Sequence, residues 1–170
     1  INYNIPYITR VLSDENFLDK KMDCLIIGCY EGHSTLFFVM TCVHANFICV
    51  DTWNKRNYDK KYNRDAESYF VKNLENFNQR VFKVKSDSQS FLNNNLKKYD
   101  LIYIDGAHDA SIVEQDCKKS FDFLNINGVL IVNSLFWRGF NKIKTNNLSG
   151  VVNFMKKLKN FKIIFVTRNI

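Results

Sequence analysis

Short apolar runs recur along the chain, rich in Ile, Val and aromatic residues and closed by polar ones. Six of them, at 23–28, 46–51, 81–85, 99–105, 128–133 and 161–166, have the length and composition of strands. The first shows no alternation and reads as buried on both faces, whereas 81–85 alternates as a half-buried strand does. Between these runs, apolar residues recur at helical spacing. Residues 65–78 put Ala66, Tyr69, Phe70, Leu74 and Phe77 on one face. Residues 110–124 do the same with Ile112, Val113, Cys117, Phe121 and Leu124. The almost wholly apolar 34–43 predicts a helix packed on a sheet, 88–96 a short helix capped by Ser88, and 148–158 a last helix. Alternating strands and helices imply parallel strands with right-handed crossovers. The predicted fold class is therefore α/β, a doubly wound, mostly parallel sheet in three layers, α/β/α. No Pro/Gly-rich linker divides 1–170, which reads as one domain, with 1–21 an N-terminal extension and 22–170 the core.

In such a sheet ligands bind outside the carboxyl ends of the strands, so the residues that end each strand matter. The first strand runs into Gly28-Cys29-Tyr30-Glu31-Gly32-His33-Ser34-Thr35. Its two glycines allow a tight turn and a close backbone approach, and Ser34 and Thr35 are placed to cap a helix whose free N–H groups favour electron-rich atoms. The second strand ends in Asp51, and an acid about 20 residues past a glycine loop suits a ribose diol. Ser86-Asp87-Ser88 follows the third and suits an adenine edge. Asp105-Gly106-Ala107-His108-Asp109 closes the fourth, and Asn133-Ser134 the fifth. Each signal is weak alone; together they follow the order one adenosyl ligand needs. Neither G-x-G-x-x-G nor GxxxxGK[ST] occurs, which argues against dinucleotide and phosphate-loop readings.

With those residues in view, the run LIIGCYEGHSTLFF resembles the first motif of the class I S-adenosylmethionine-dependent methyltransferases, in the small-molecule branch with an EIGxYEGxST loop. ICVDTW resembles the second motif and KVKSDSQSFL the adenine segment after the third strand. YDLIYIDGAHDASIVEQDCKKSFDFLNINGVLIV resembles the family's IDGxH…D…LLKxGG stretch, so the match runs over 22–158. The resemblance implies a Rossmann-like methyltransferase fold and S-adenosylmethionine as cofactor. By it, Gly28, Cys29, Gly32 and Ser34 face the methionine part, Asp51 holds the ribose, and Asp87 with Ser88 the adenine. Tyr30, Thr35, Thr52 and Gly106 complete the cofactor-binding set, and Asp105 and His108 sit by the transferred methyl. His108 is then the first candidate for the base that takes the acceptor's proton, with Asp105 orienting it or the substrate; the alternative is that His108 caps the next helix. Departures from the family pattern are Ile26, where a Glu is usual, and Asn133-Ser134, where two acids or Asp-Asn are usual. A divalent cation wants anionic oxygens, so Asp105 with two neutral partners is a poor set and no metal is expected. The family sheet closes with a seventh, antiparallel strand, which the resemblance leaves either outside this sequence or lacking.

Composition narrows the picture. With 46% hydrophobic residues and one Pro, the chain can bury a core, which excludes disorder and repeat architectures. No apolar run approaches the ~18 residues of a membrane span. Five Cys without a CxxC pair argue against zinc and redox motifs and suggest a reduced, cytoplasmic protein. The net charge of +7 accompanies 22 Asn, and Asn and Lys share A/T-rich codons. The charge is uneven, however: residues 1–51 carry −3, 52–99 +6, 100–137 −4 and 138–170 +8. The acidic segments hold most strand ends and suit a cationic sulfonium. The basic ones contain the polar stretches 52–64 and 136–147 and suggest an acceptor or partner of negative charge there. The expected function is methyl transfer to a hydroxyl or amine of a small, anionic or sugar-like acceptor. The alternatives are a catalytically inactive methyltransferase-like domain of a larger protein and, least favoured, a nucleic-acid methyltransferase. His33 is expected to be structural, and His44 to end the helix 34–43, where a charged imidazole is favourable. Trp53 and Trp137 are expected either to wall an acceptor pocket or to pack in the core.

Overall fold

The computed structural model describes residues 4–54, 65–133, 147–164 and 166. In chain order these form α1 (Ile5–Asp14), β1 (Asp23–Ile27), α2 (His33–Thr41), β2 (Asn46–Asp51), α3 (Ala66–Leu74) with a 3-10 turn at Glu75–Phe77, β3 (Val81–Lys85), α4 (Ser88–Asn94), β4 (Tyr99–Ile104), α5 (Ala110–Asp122), β5 (Leu124–Val132) and α6 (Asn147–Met155). The strands form one sheet in the order β3-β2-β1-β4-β5. Every pairing is parallel. The order reverses between β1 and β4, and their carboxyl ends open the crevice in which doubly wound sheets bind ligands.

Side chains alternate across the sheet and divide the core in two. Cys24 and Ile26 of β1 face Phe38, Val39, Phe70, Leu74 and the α1 residues Ile8 and Leu12. Leu25 and Ile27 face Leu92, Val113, Cys117, Val151 and Phe154. Helices α1 to α3 thus cover one face and α4 to α6 the other, which gives the three layers. Ile26, at 1% exposure, belongs to the first core. All five Cys are buried and free, and pack as small apolar residues.

Several expected elements differ. A strand is expected at 161–166, but residues 161–164 have no regular structure, and Phe161, Ile163, Ile164 and Val166 are exposed. A strand needs a ladder partner, and β5 pairs only with β4 among the described residues. β5 starts at Leu124 rather than 128, because the turn around Asn125–Gly128 is inserted into it and shifts its register on β4 between Tyr99 and Leu101. Ile126 is 95% exposed there, and Asn127 takes a φ of 63°. Helix α2 ends at Thr41, so His44 lies beyond its last turn and does not end the helix. Helix α1, with Pro6 in its first turn and Ile8 and Leu12 buried, lies in a segment to which no element was assigned from sequence; its signal is the apolar spacing of Ile5, Ile8 and Leu12 behind Asn4.

Candidate functional site

The loop after β1 and the loop after β4 cross at the switch point. A Cβ on Gly28 would lie 2.4 Å from Asp105 C and from Gly106 Cα, and Gly28 has a φ of 86°. Any other residue there would clash with backbone as well as strain its own. The Gly28 N–H donates to Val50 O (2.9 Å) and the Asp105 N–H to Ile27 O (2.8 Å), so β1, β2 and β4 stay tied beyond the sheet proper.

Asp51 organises the next layer. Its Oδ2 accepts the N–H groups of Cys29 (2.8 Å) and Tyr30 (2.9 Å), and its Oδ1 that of Trp53 (2.9 Å). Tyr30 and Trp53 both have a φ of 48°, a strained value for residues with a Cβ. They are joined by a bond from Trp53 Nε1–H to Tyr30 O (2.8 Å). Trp53 is buried, stacks edge-on against Phe70 at 5.0 Å and carries Lys83 Nζ 4.9 Å from its ring centre. Its place is therefore the core; Trp137 lies outside the described residues.

The residues of the first loop divide between core and crevice. The Cys29 side chain is buried, with its thiol 3.6 Å from Ile26 O and Val50 O. Burial pushes that thiol well above its ordinary pKa. Thr35 is fully buried. The expectation that Ser34 or Thr35 caps α2 is corrected: Gly32, in the left-handed region, takes the cap position and no side chain caps the helix. Ser34 is half-buried. Glu31, not singled out from sequence, is buried with its carbonyl accepting from Asn73 Nδ2 (2.8 Å). His33 is exposed, 3.9 Å from the Glu31 carboxylate. Thr52 follows Asp51, and its Oγ1 accepts the Asn54 N–H at 3.3 Å.

At the third strand end the helix cap is Asp87 rather than Ser88: its Oδ1 accepts the Ser90 N–H (2.8 Å). The bonds to Ser90 hold the Asp87 carboxyl below its usual range. A carboxylate is the better acceptor for these N–H groups. Behind it the buried Asp116 accepts from Gln89 Nε2, linking α5 to α4, and burial raises its pKa.

A polar chain crosses the ends of β4 and β5. Asp105 Oδ2 accepts from Asn133 Nδ2 (3.0 Å) and from the Tyr103 hydroxyl (3.3 Å). Asn133 Oδ1 in turn accepts from Asn4 Nδ2 (2.8 Å), which brings the start of α1 onto the strand ends. The helix cap after this loop is Asp109, whose Oδ1 accepts the N–H groups of Ser111 (2.9 Å) and Ile112 (3.3 Å). The capping alternative for His108 is thereby removed; its Nδ1 lies 3.2 Å from Asn147 Nδ2 at the start of α6. Ser134 lies outside the described residues. Among the described residues no three His, Cys, Asp or Glu side chains come together as a metal site. No described helix is long and apolar enough to cross a membrane.

The crevice is thus lined by a glycine crossing, a strand-end acid on each side and a half-buried His. A carboxylate has about four acceptor sites, and the loop occupies three of those on Asp51, which leaves capacity for a hydroxyl. No curated protein matches the chain. Among solved structures, an O-methyltransferase from Bacillus cereus in complex with SAH is 14% identical, with a TM-score of 0.62 over 91% of this chain and 67% of that one. An SAH-bound methyltransferase from Podospora anserina is 17% identical, with a TM-score of 0.59 over 81% of this chain and 54% of that one. A Staphylococcus aureus protein, provisionally described as a caffeoyl-CoA O-methyltransferase, is 19% identical, with a TM-score of 0.58 over 81% of this chain and 60% of that one. The chain therefore spans a little over half the length of two of these three. These likenesses show the shared fold. The family model described as a methyltransferase domain matches residues 25–135, about two thirds of the sequence, and the chain belongs to that family.

Proposed function

We propose that the domain transfers a methyl group from S-adenosylmethionine to a hydroxyl or amine of a small acceptor. The observation that carries this reading is the convergence at the β1/β4 switch point of the Gly28–Gly106 crossing with Asp51 and Asp105 on either side. The SAH bound in the Bacillus cereus and Podospora anserina structures supports the choice of cofactor. Asp51, with Thr52 beside it, is assigned to the ribose, the backbone of Gly28 to Gly32 with Ser34 to the methionine end, and Asp87 with Ser88 to the adenine. The cofactor supplies a methyl group on a sulfonium. Of the chain's own groups, Asp105 and His108 stand on the acceptor side. Asp105 holds its place through the two hydrogen bonds from Tyr103 and Asn133. The sulfonium is cationic, and the net −4 of residues 100–137 favours it; the net +8 of 138–170 favours an acceptor of negative charge.

The test is SAH formation from S-adenosylmethionine with a panel of phenol, sugar and amine acceptors. Product with at least one acceptor class is the expected result. A folded protein that binds SAH yet turns over none of the panel overturns the catalytic reading and leaves the binding one.

A further inference from the structure

We propose that Asn127-Gly128 is a site of spontaneous self-modification that marks aged molecules and loosens the start of β5. The backbone nitrogen of Gly128 attacks Cγ of the Asn127 side chain. A new N–Cγ bond forms, the Cγ–Nδ2 bond breaks, and Nδ2 leaves as ammonia with the proton of the Gly128 N–H. Water then opens the succinimide. Opening at Cγ gives aspartate at 127; opening at the backbone carbonyl gives isoaspartate, whose main chain runs through Cβ and Cγ. Water is the only co-reactant, and the site lies at the amino end of β5, away from the crevice at the carboxyl ends of the strands.

Of the 22 Asn in the chain, Asn127 alone is followed by glycine. A residue with a Cβ at 128 would shield the attacking nitrogen; Gly128 leaves it open. The fold adds two conditions. The β4–β5 ladder pairs Tyr99 with Leu124 and then Leu101 with Val129, so residues 125–128 stand against Asp100 alone and have no ladder partners. Their backbone can swing toward the attack geometry without breaking the sheet. Asn127 is also exposed, beside an Ile126 that is 95% exposed, so water reaches the ring. Asp105-Gly106 has related chemistry but is held: the Asp105 N–H donates to Ile27 O, and its Oδ2 accepts from Asn133 and Tyr103. The products differ in their fit. Asn127 has a φ of 63°, which aspartate tolerates as asparagine does. Isoaspartate lengthens the main chain by one carbon where there is little room. A Cβ on Gly128 would already lie 2.9 Å from Asn125 O and 3.1 Å from Asp100 O. The longer turn therefore pushes Leu124 off Tyr99.

Ageing the folded full chain at mildly alkaline pH, followed by tryptic digestion and tandem mass spectrometry, tests this. The expected result is the amide-to-acid mass gain at Asn127 and not at Asn125 or Asn133 of the same peptide. Exposed loops open locally at almost no free-energy cost, so the rate is expected within about tenfold of that in a synthetic peptide of residues 122–132. Asp-N protease, which cleaves before aspartate but not isoaspartate, separates the two products. Asn127→Gly removes the side-chain amide, keeps the positive φ and is expected to show no mass gain. Aged wild type is expected to melt lower than fresh protein, and aged Asn127→Gly to melt where it did when fresh. An Asn127 amide that outlasts the peptide's by more than about a hundredfold overturns the modification site. Isoaspartate at 127 with an unchanged melting temperature overturns its effect on β5.

Discussion

Asp51→Asn probes the strained loop most sharply. The carboxylate receives three backbone N–H groups at 2.8–2.9 Å, two on Oδ2 and one on Oδ1. The amide keeps one oxygen. Its cheaper orientation leaves that oxygen on Cys29 and Tyr30 and sets an NH2 against the Trp53 N–H. One bond to a charged acceptor, ~1.5–3 kcal/mol, is then lost, and the other two fall toward the ~0.5–1.5 kcal/mol of neutral bonds. Two effects reduce the total. Asp51 is only half-buried, so water substitutes in part, and Tyr30 and Trp53 relax from their positive φ, recovering some of the ~1–3 kcal/mol stored at each. The net expected loss is about 2–3 kcal/mol, which in a domain of this length is a melting temperature lower by about 5–10 °C. Thermal unfolding followed by circular dichroism reads it, and amide hydrogen exchange locates it at Trp53, whose N–H loses its acceptor. A variant that melts within ~1 °C of the wild type, with the Trp53 amide still protected, refutes the claim that Asp51 holds the loop.

Gly28→Ala meets backbone at 2.4 Å and a φ of 86° at once, so it is expected to abolish SAH binding by calorimetry and to cost at least ~2 kcal/mol in urea unfolding. Asp116→Asn keeps an oxygen for Gln89 and removes a carboxyl whose pKa burial raises. Such a group stabilises the fold fully below its unfolded value of ~3.9 and loses that contribution as pH rises through the folded value. The variant is therefore expected to gain stability relative to the wild type between pH 4 and pH 8; a gain that shrinks with rising pH contradicts the argument. Burial raises the pKa of Cys42 to about 11 and of Cys117 to about 12, and Cys24 and Cys29 are raised as well. Ellman's reagent is accordingly expected to leave the native thiols nearly untouched and to titrate all five in denaturant.

Most of this fold was legible in the sequence because its strands are uninterrupted apolar runs and its helices carry clear stripes. β1 to β4 fall where Ile, Val and aromatic residues cluster. Pattern failed where pairing decides. The 161–166 run has strand composition, but composition does not supply a ladder partner. The polar turn inside β5 disguised the strand's first residue. At the helix starts, Asp87 and Asp109 took the roles read for Ser88 and considered for His108, since a carboxylate accepts two N–H groups better than a hydroxyl or an imidazole does. The strand-end residues of the candidate site were legible from their positions alone. Their mutual arrangement was not: the three N–H groups on Asp51, the Asn4–Asn133–Asp105 chain and the Asn147–His108 pair link residues 2 to 129 apart in sequence.

The central claim is that SAH and its methylated parent bind at the β1/β4 crossing. Of the chain's six glycines, Gly28 and Gly106 form that crossing and Gly32 starts α2 at the end of the same loop, while Gly128 and Gly150 lie away from it. An 15N-glycine-labelled sample therefore gives a six-peak spectrum that maps the site directly. Titration with SAH is predicted to move the Gly28, Gly32 and Gly106 amides and to leave Gly128 and Gly150 in place. A spectrum in which those three stay fixed while the protein remains folded contradicts the account.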